Sequence, residues 1–158
     1  MSNILVAYFS ATGVTAGVAK RLAKIVQADA FEILPKVPYS KEDLNWTDKE
    51  SRTSVEMRDP DCRPALANSV PNLSTYNVIF VGFPIWWYRE PSIIDTFLES
   101  ADFSGKLIVP FVTSGGSELG QAAVNMQKLI PHGAVKNGRR FDAAVSDQVL
   151  LYWANQWL

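Results

Sequence analysis

The sequence has very little of the chemistry that builds disulfides or metal sites, with one cysteine and one histidine among 158 residues. A lone cysteine excludes a disulfide within the chain and is typical of cytoplasmic proteins. Cys62 lies in a polar stretch without a second cysteine or a histidine beside it, so we expect no redox role for its thiol. His132 stands at a predicted helix end, where it is interpreted as a capping residue.

The sequence also lacks an excess of charge and any long apolar run. Lysine and arginine number 15, aspartate and glutamate 16, and the net charge is −1. That balance argues against nucleic acid and anionic membranes as partners. The apolar runs are too short to span a membrane, and a strand-like run directly follows Met1-Ser2-Asn3, which leaves no room for a signal peptide. A cytoplasmic location is therefore predicted.

Apolar runs alternate with helical patterns along the chain. The strand-like runs are Ile4–Phe9, Ala30–Leu34, Val78–Phe83 and Leu107–Val112, with a weaker fifth at Ala134–Lys136. They are continuous, as expected for parallel strands buried on both faces. Helical patterns begin at Val14, Pro91, Ser117 and Ser146. The alternation predicts one α/β domain over residues 1–158, with a doubly wound five-stranded parallel sheet and helices on both faces.

The segment before the third strand is the least regular part of the sequence. Between Pro35 and Tyr76 it contains several prolines and the possible capping box Ser40-Lys41-Glu42-Asp43. A charged, weakly amphipathic stretch then continues through Arg58. We expect one surface helix and a long connection here.

A hydroxyl-rich turn follows the first strand and opens the first helix. Its residues are Ser10, Ala11, Thr12, Gly13, Val14 and Thr15, and the apolar stripe behind it is Val14, Val18, Leu22, Ile25 and Val26. The unpaired N–H groups of a helix start, together with the helix dipole, favour a bound phosphate. The turn is neither a Walker A loop nor a Gly-x-Gly-x-x-Gly loop, and it lacks the cysteine and arginine of a phosphatase loop. The alternative is an N-capped helix start without a ligand.

Aromatic residues dominate the loop after the third strand. The loop contains Pro84, Ile85, Trp86, Trp87 and Tyr88, followed by Arg89 and Glu90. Three adjacent rings cannot all be buried on one side of a turn, so at least one is expected at the surface. Flat apolar rings suit a planar heteroaromatic ligand, and the alternative is that they cover helix ends.

Glycines and hydroxyls make up the loop after the fourth strand. Its residues are Thr113, Ser114, Gly115, Gly116 and Ser117. The glycines let backbone N–H groups approach a ligand, and the alternative is an ordinary loop with Ser117 as N-cap. In a doubly wound sheet all three loops lie near the carboxyl edge, where ligands bind. Together they fit flavin mononucleotide (FMN), which has a phosphate, a polar chain and a flat ring.

The chain resembles the flavodoxin-like family over nearly its whole length. The matching motifs are Gly82-Phe83-Pro84-Ile85-Trp86-Trp87, Phe97-Leu98-Glu99 and Thr113-Ser114-Gly115-Gly116-Ser117. The resemblance implies the strand order 2-1-3-4-5 and FMN at the point where that order reverses. It implies phosphate contacts from Ser10, Thr12, Gly13, Val14 and Thr15, with Pro84 and Thr113 near the ribityl chain. It also implies that the isoalloxazine ring lies between the Ile85–Tyr88 and Ser114–Ser117 loops.

Two positions depart from the family pattern. Val14 stands where the family turn usually has asparagine, so one side-chain amide is missing. Tyr88 stands where relatives often have glycine, and tyrosine penalises a backbone with positive φ. Arg89 follows, where a cation would stabilise negative charge on reduced flavin. The net charge is only −1, which gives a weak electric field. Together with Tyr88 and Arg89, this near-neutral charge favours two-electron chemistry, closer to a small quinone reductase than to a one-electron carrier.

Two classes of function remain open. The first is an FMN redox protein that passes electrons to a redox partner protein or, as a small reductase, to a quinone-like acceptor. The second is a non-enzymatic ligand-binding or interaction module that retains the fold. The combination of three distinctive loops favours the first class. The sequence leaves open a homodimer and does not identify the electron donor.

Overall fold

A computed structural model describes residues 3–158 as a parallel sheet flanked by helices. The expectation that the first strand directly follows Met1-Ser2-Asn3 partly concerns Met1 and Ser2, which lie outside this range. The elements are β1 Ile4–Tyr8, α1 Val14–Ile25, β2 Asp29–Glu32, α2 Arg52–Arg58, β3 Val78–Pro84, α3 Ser92–Glu99, β4 Leu107–Thr113, α4 Ala122–Leu129, β5 Ala134–Val135, β6 Arg139–Phe141 and α5 Asp147–Ala154. A short 3-10 helix, Asn155–Trp157, follows α5. Among these described helices, none has both the length and the apolar character that crossing a membrane requires.

The sheet runs in the order β2-β1-β3-β4-β5, with parallel pairing between neighbours. The predicted doubly wound fold and strand order are therefore confirmed. Side chains alternate across the sheet, so Leu5 and Ala7 pack on one helix layer while Val6 and Tyr8 pack on the other. The first layer contains α3 and α4, and the second contains α1 and α5. The order reverses between β1 and β3, which opens a crevice at their carboxyl ends.

The fifth position of the sheet differs from the single strand predicted at Ala134–Lys136. β5 pairs with the first part of β4 and β6 pairs with the last part, so the sheet has six strands. On this side of β4, the Ile108 carbonyl accepts a hydrogen bond from the Lys136 N–H at 2.9 Å. Pro110 is the next residue facing this side, and the ladder is interrupted there because proline has no N–H. Gly138 lies opposite Pro110 at this interruption, and a Cβ at Gly138 would overlap the Pro110 carbonyl oxygen.

Three helix starts agree with the sequence prediction and one does not. α1 begins at Val14, as predicted. α5 begins after Ser146, whose Oγ accepts a hydrogen bond from the Val149 N–H at 3.2 Å. α3 begins after Pro91, as predicted. The predicted start of α4 at Ser117 is wrong, because α4 begins at Ala122.

A contact with the aromatic loop explains the late start of α4. The Gln121 N–H donates to the Tyr88 carbonyl at 2.8 Å, and Gly120 has a φ of 56°. A Cβ at Gly120 would overlap the same carbonyl. Residues 117–121 are therefore held as a loop against the chain after β3, and Ser117 is not an N-cap.

The surface helix before β3 lies later than its predicted start. Ser40 and Asp43 do form the two reciprocal capping bonds, at 2.9 and 3.1 Å, but only a turn follows them. α2 is capped instead by Ser51, whose Oγ accepts a hydrogen bond from the third N–H of the helix. The Arg52–Glu56 ion pair, at 3.0 Å and four residues apart, supports this short helix.

Candidate functional site

Three loops come together at the carboxyl edge of the sheet. They follow β1, β3 and β4, which are consecutive in the order of the sheet. Pro84, at the end of β3, pairs in register with Thr113, at the end of β4. These are the three loops that the sequence singled out, and the crevice between β1 and β3 opens beside them.

The first loop is organised around the hydroxyl of Ser10. Its Oγ accepts hydrogen bonds from the Gly13 N–H at 3.0 Å and the Ala16 N–H at 3.1 Å. Gly13 has a φ of 96°, a backbone conformation that glycine adopts without steric cost. The first turn of α1 contains no acidic residue, and its first N–H groups have no acceptor within the helix. The helix start therefore offers backbone donors and a positive dipole end to an anion.

The first helical turn directs Thr15, rather than Val14, into the protein. Val14 is 41% exposed, which corrects the expectation that it belongs to the buried stripe, and Thr15 is buried. Thr15 Oγ1 and Thr113 Oγ1 lie 2.7 Å apart and share a buried hydrogen bond. This bond connects the loop after β1 with the loop after β4.

A cavity of about 360 Å³ lies between these two loops. Its lining residues are Ala11, Thr12, Val14, Thr15, Pro84, Thr113, Ser114, Gly115, Asp142 and Ala143. The sequence did not predict Asp142 and Ala143 as residues of this site, because they lie between β6 and α5 and carry no local motif. The Asp142 carboxylate accepts a hydrogen bond from the Ala144 N–H at 2.8 Å. Within residues 3–158 no lysine or arginine lines this cavity, so an anion would be held by hydroxyls and backbone dipoles.

The loop after β3 contains a tight turn with an unusual backbone. Trp86 and Arg89 exchange two backbone hydrogen bonds, both 3.1 Å long. Between them, Trp87 and Tyr88 have φ values of 47° and 62°. This is the two-residue turn that normally uses asparagine or glycine, and positive φ costs about 1–2 kcal/mol for other residues. The expectation that Tyr88 opposes positive φ is thus corrected, since the turn already adopts it.

The three rings of this loop have different surroundings. Trp86 packs edge-on against Phe9 and Tyr39, with ring centroids 5.6 and 5.5 Å away. Trp87 is 44% exposed and Tyr88 is 71% exposed. The prediction that at least one ring reaches the surface is therefore confirmed, and Trp86 is the ring that covers the core.

A second cavity, of about 450 Å³, lies beside the aromatic turn. Its lining residues are Leu44, Trp46, Thr53, Ile85, Trp86, Trp87, Tyr88 and Ser117. Ile85 in this cavity directly follows Pro84 in the first cavity, so consecutive residues contribute to the two cavities. The sequence did not predict that the connection before β3 contributes Leu44, Trp46 and Thr53 to this cavity. Only long-range packing brings that connection to this edge of the sheet. Of the predicted site residues, Ser10, Gly13 and Gly116 line neither cavity.

The loop after β4 presents its backbone to solvent. Ser114 Oγ donates to the Ser117 carbonyl at 2.5 Å, and Arg140 Nη1 donates to the Ser114 carbonyl at 3.2 Å. Gly115 and Gly116 are exposed, and a Cβ at either position would meet open space. Two glycines here leave room for a ligand edge close to the main chain.

Arg89 is turned away from both cavities. Its Nη2 lies 3.1 Å from Asp95 Oδ2, and its Nη1 donates to the Met57 carbonyl at 3.3 Å. The guanidinium thus fixes the aromatic loop to the end of α2 and to α3. This geometry corrects the expectation that Arg89 places a cation beside a flavin ring.

Behind Arg89 lies a pair of buried carboxyl groups, Glu90 and Asp95. Burial, reinforced by the neighbouring Glu90, raises the pKa of Asp95 to about 9, although Arg89 and Arg63 act in the opposite direction. Asn125 Nδ2 donates to Glu90 Oε1 at 3.1 Å. The raised pKa favours the protonated form of Asp95 at neutral pH.

Comparison with solved structures identifies close relatives. A candidate flavoprotein from Bacteroides uniformis ATCC 8492 is 45% identical, with a TM-score of 0.91 over 96% of this chain and 97% of that one. A candidate flavoprotein from Bacteroides eggerthii DSM 20697 is also 45% identical, with a TM-score of 0.91 over 97% and 96% of the two chains. A flavoprotein from Lactobacillus acidophilus NCFM, solved in complex with FMN, shares the fold at 17% identity, with a TM-score of 0.67 over 87% and 91%.

The family assignment follows from the whole length of the chain. A family model described as flavodoxin matches residues 3–157. A comparison with curated protein sequences finds no match. The chain belongs to the flavodoxin family, as its loops and strand order indicate.

Proposed function

We propose that this protein binds one FMN non-covalently across the two adjoining cavities and acts as a small flavin-dependent reductase. One observation carries the proposal: the loops after three consecutive strands together supply lining residues to the two cavities, at the edge where the strand order reverses. The Lactobacillus flavoprotein of the same fold was solved with FMN, which supports this choice of ligand.

The phosphate is assigned to the start of α1. Thr12 is exposed and lines the smaller cavity, so its hydroxyl is available to an oxyanion. The backbone N–H groups of Val14 and Thr15 belong to the first turn, whose donors have no acceptor within the helix. Charge-assisted bonds of this kind hold a phosphate without a formal cation.

The isoalloxazine ring is assigned to the larger cavity, between the aromatic turn and the loop after β4. Trp87 offers an exposed ring face there, whereas Trp86 is already packed against Phe9 and Tyr39. Trp87 is therefore the residue that we expect to stack on the flavin. From the loop after β4, Ser117 is the residue that lines this cavity.

FMN supplies the redox chemistry, and the chain supplies position and electric field. The net charge of −1 gives weak steering toward a charged protein partner. This weak steering favours a small quinone-like acceptor over a carrier role. The lone Cys62 makes the cytoplasm the expected setting.

The test is a titration of purified protein with FMN, followed by visible absorption and by tryptophan fluorescence. We expect one equivalent to bind, with quenching that is lost in Trp87→Ala and kept in Trp86→Phe. Thr12→Val should weaken binding about ten-fold or more, as expected for loss of a charge-assisted bond, while Thr12→Ser should not. A protein that rejects added FMN would contradict the proposal.

A further inference from the structure

The larger cavity has a wall that the proposed flavin site does not use. The flavin ring is assigned between the aromatic turn and the loop after β4, on the side of Ser117. Leu44, Trp46 and Thr53 line the same cavity from the connection before β3. This wall, formed by Leu44, Trp46 and Thr53, is called the Trp46 wall below.

Trp46 is presented to solvent by a well-bonded loop. Its side chain is 74% exposed, although an indole ring normally favours burial. On one side of it, the Leu44 N–H donates to the Ser40 carbonyl at 3.2 Å. On the other side, the Thr47 N–H and hydroxyl both donate to Asn45 Oδ1, at 3.2 and 2.6 Å. Local bonds on both sides thus organise the backbone that carries the exposed ring.

The Trp46 wall is anchored to the rest of the protein at its base. Thr53 is buried, and its hydroxyl donates to the Asp43 carbonyl at 2.7 Å. The Thr53 N–H donates to the same carbonyl at 3.1 Å. These bonds connect the start of α2 to the loop that carries Trp46, and they hold the backbone of that loop beside the cavity.

The cavity is chemically suited to an uncharged flat molecule. Within residues 3–158 it is lined by apolar, aromatic and hydroxyl side chains, and no ionisable side chain other than the phenol of Tyr88 reaches it. The nearest arginine on α2, Arg52, is neutralised by Glu56 at 3.0 Å and Asp43 at 3.6 Å. A charged ligand would lose hydration here without gaining an opposite charge, whereas an apolar ring would stack on indole and phenol faces.

We propose that the Trp46 wall binds the acceptor, an uncharged planar quinone, and that Trp46 determines specificity for it. The inference rests on the proposed function, because the opposite face of the quinone would lie toward the flavin. It adds a binding surface and a specificity residue that the flavin site itself does not require.

The experiment measures quinone binding to the oxidised, FMN-loaded protein by isothermal titration calorimetry. The probes are 1,4-naphthoquinone and its anionic 2-sulfonate, which share the same ring. We expect the uncharged quinone to bind more tightly. Trp46→Ala should weaken its binding about five-fold, the scale of one lost aromatic stacking contact, and Trp46→Phe should restore most of it. Because Trp46 is exposed, neither substitution should impair folding.

The matched control is Tyr152→Ala on α5. Tyr152 is 78% exposed and lines neither cavity, so its removal should leave quinone binding unchanged. FMN affinity, measured separately on the apoprotein, should be the same in the Trp46→Ala variant as in the unaltered chain.

Each other outcome overturns the inference. If Trp46→Ala weakens FMN binding, Trp46 is a flavin contact and the acceptor site lies elsewhere. If it changes neither affinity, or if the sulfonate binds as well as the uncharged quinone, the wall does not select an uncharged ring. Failure of the unaltered chain to bind FMN would instead overturn the proposed function itself, together with this inference.

Discussion

The side-chain oxygens of Thr15 and Thr113 lie 2.7 Å apart in the interior of the protein. Thr15 belongs to the first turn of α1, and Thr113 is the last residue of β4. Both residues are buried, so each hydroxyl has the other as its close partner. The bond therefore fixes the spacing between the start of α1 and the end of β4.

Removing one of these hydroxyls should be costly. Thr15→Val leaves the Thr113 hydroxyl buried without its partner, and we expect unfolding free energy to fall by about 1–3 kcal/mol. Urea unfolding measures the loss. The double variant Thr15→Val/Thr113→Val should lose less than the sum of the two single variants, because neither hydroxyl is then left unpaired. Additive losses would show that the two hydroxyls do not interact.

Two glycine-to-alanine substitutions should change stability in opposite directions. A Cβ at Gly82 would overlap the Phe111 ring, whereas a Cβ at Gly17, inside α1, would meet open space. Gly82→Ala should destabilise by about 1–3 kcal/mol through overpacking. Gly17→Ala should stabilise by up to about 1 kcal/mol, since alanine is the better helix former. Thermal and urea unfolding of both variants check the signs, and a tolerated Gly82→Ala would contradict the packing of β3 against β4.

The strained turn at Trp87 and Tyr88 gives a third test. Asparagine tolerates the left-handed conformation better than tyrosine, so Tyr88→Asn should leave stability unchanged or raise it by up to about 1 kcal/mol. Tyr88→Val should destabilise, because a β-branched residue is disfavoured at positive φ. The phenol is 71% exposed, so little buried area is lost in either variant. Equal stabilities of the asparagine and valine variants would contradict this backbone geometry.

Asp95 should make the protein less stable as the pH rises. Its pKa is raised by burial to about 9 from an ordinary value of 3.8, so the folded state binds this proton more tightly than the unfolded state does. That contribution is complete below about pH 4 and is lost as the pH rises toward 9. Asp95→Asn keeps a neutral side chain and should flatten the decline in urea stability between pH 5 and pH 8.

Asp102 provides the control for this pH test. Hydrogen bonds from Ser104 lower the pKa of Asp102, so its pH dependence lies in the acid range. Asp102→Asn should therefore leave the slope between pH 5 and pH 8 unchanged. If Asp95→Asn also leaves the slope of urea stability between pH 5 and pH 8 unchanged, the group that binds the proton in the folded state is not Asp95.

The sequence allowed much of the fold to be predicted because its strands are continuous apolar runs. β3 and β4 were located to within one residue, since strands buried on both faces leave an unbroken pattern. The break in the fifth position was not predicted. Its cause is Pro110 in β4, which has no N–H to donate. The missing hydrogen bond interrupts the strand paired with β4 and leaves β4 itself continuous.

The candidate site was predictable where a loop directly follows a strand. The turn after β1 and the glycine–hydroxyl loop after β4 are local features of this kind. Trp46 was not predictable, because no nearby motif indicates that the connection before β3 folds back to the sheet edge. The direction of Arg89 depends on the hydrogen bond that it donates to Asp95, six residues later on α3, and this choice of partner needs tertiary packing.

Affinity for FMN compared with riboflavin is the most direct test of the central claim. The two ligands share the ring and the ribityl chain and differ only in the phosphate. The unaltered chain should bind FMN at least about ten-fold more tightly, the scale of one charge-assisted hydrogen bond to the start of α1. Fluorescence titration of the apoprotein with each ligand gives both dissociation constants. Equal affinities, or no binding of FMN, would contradict a phosphate site at Ser10–Thr15.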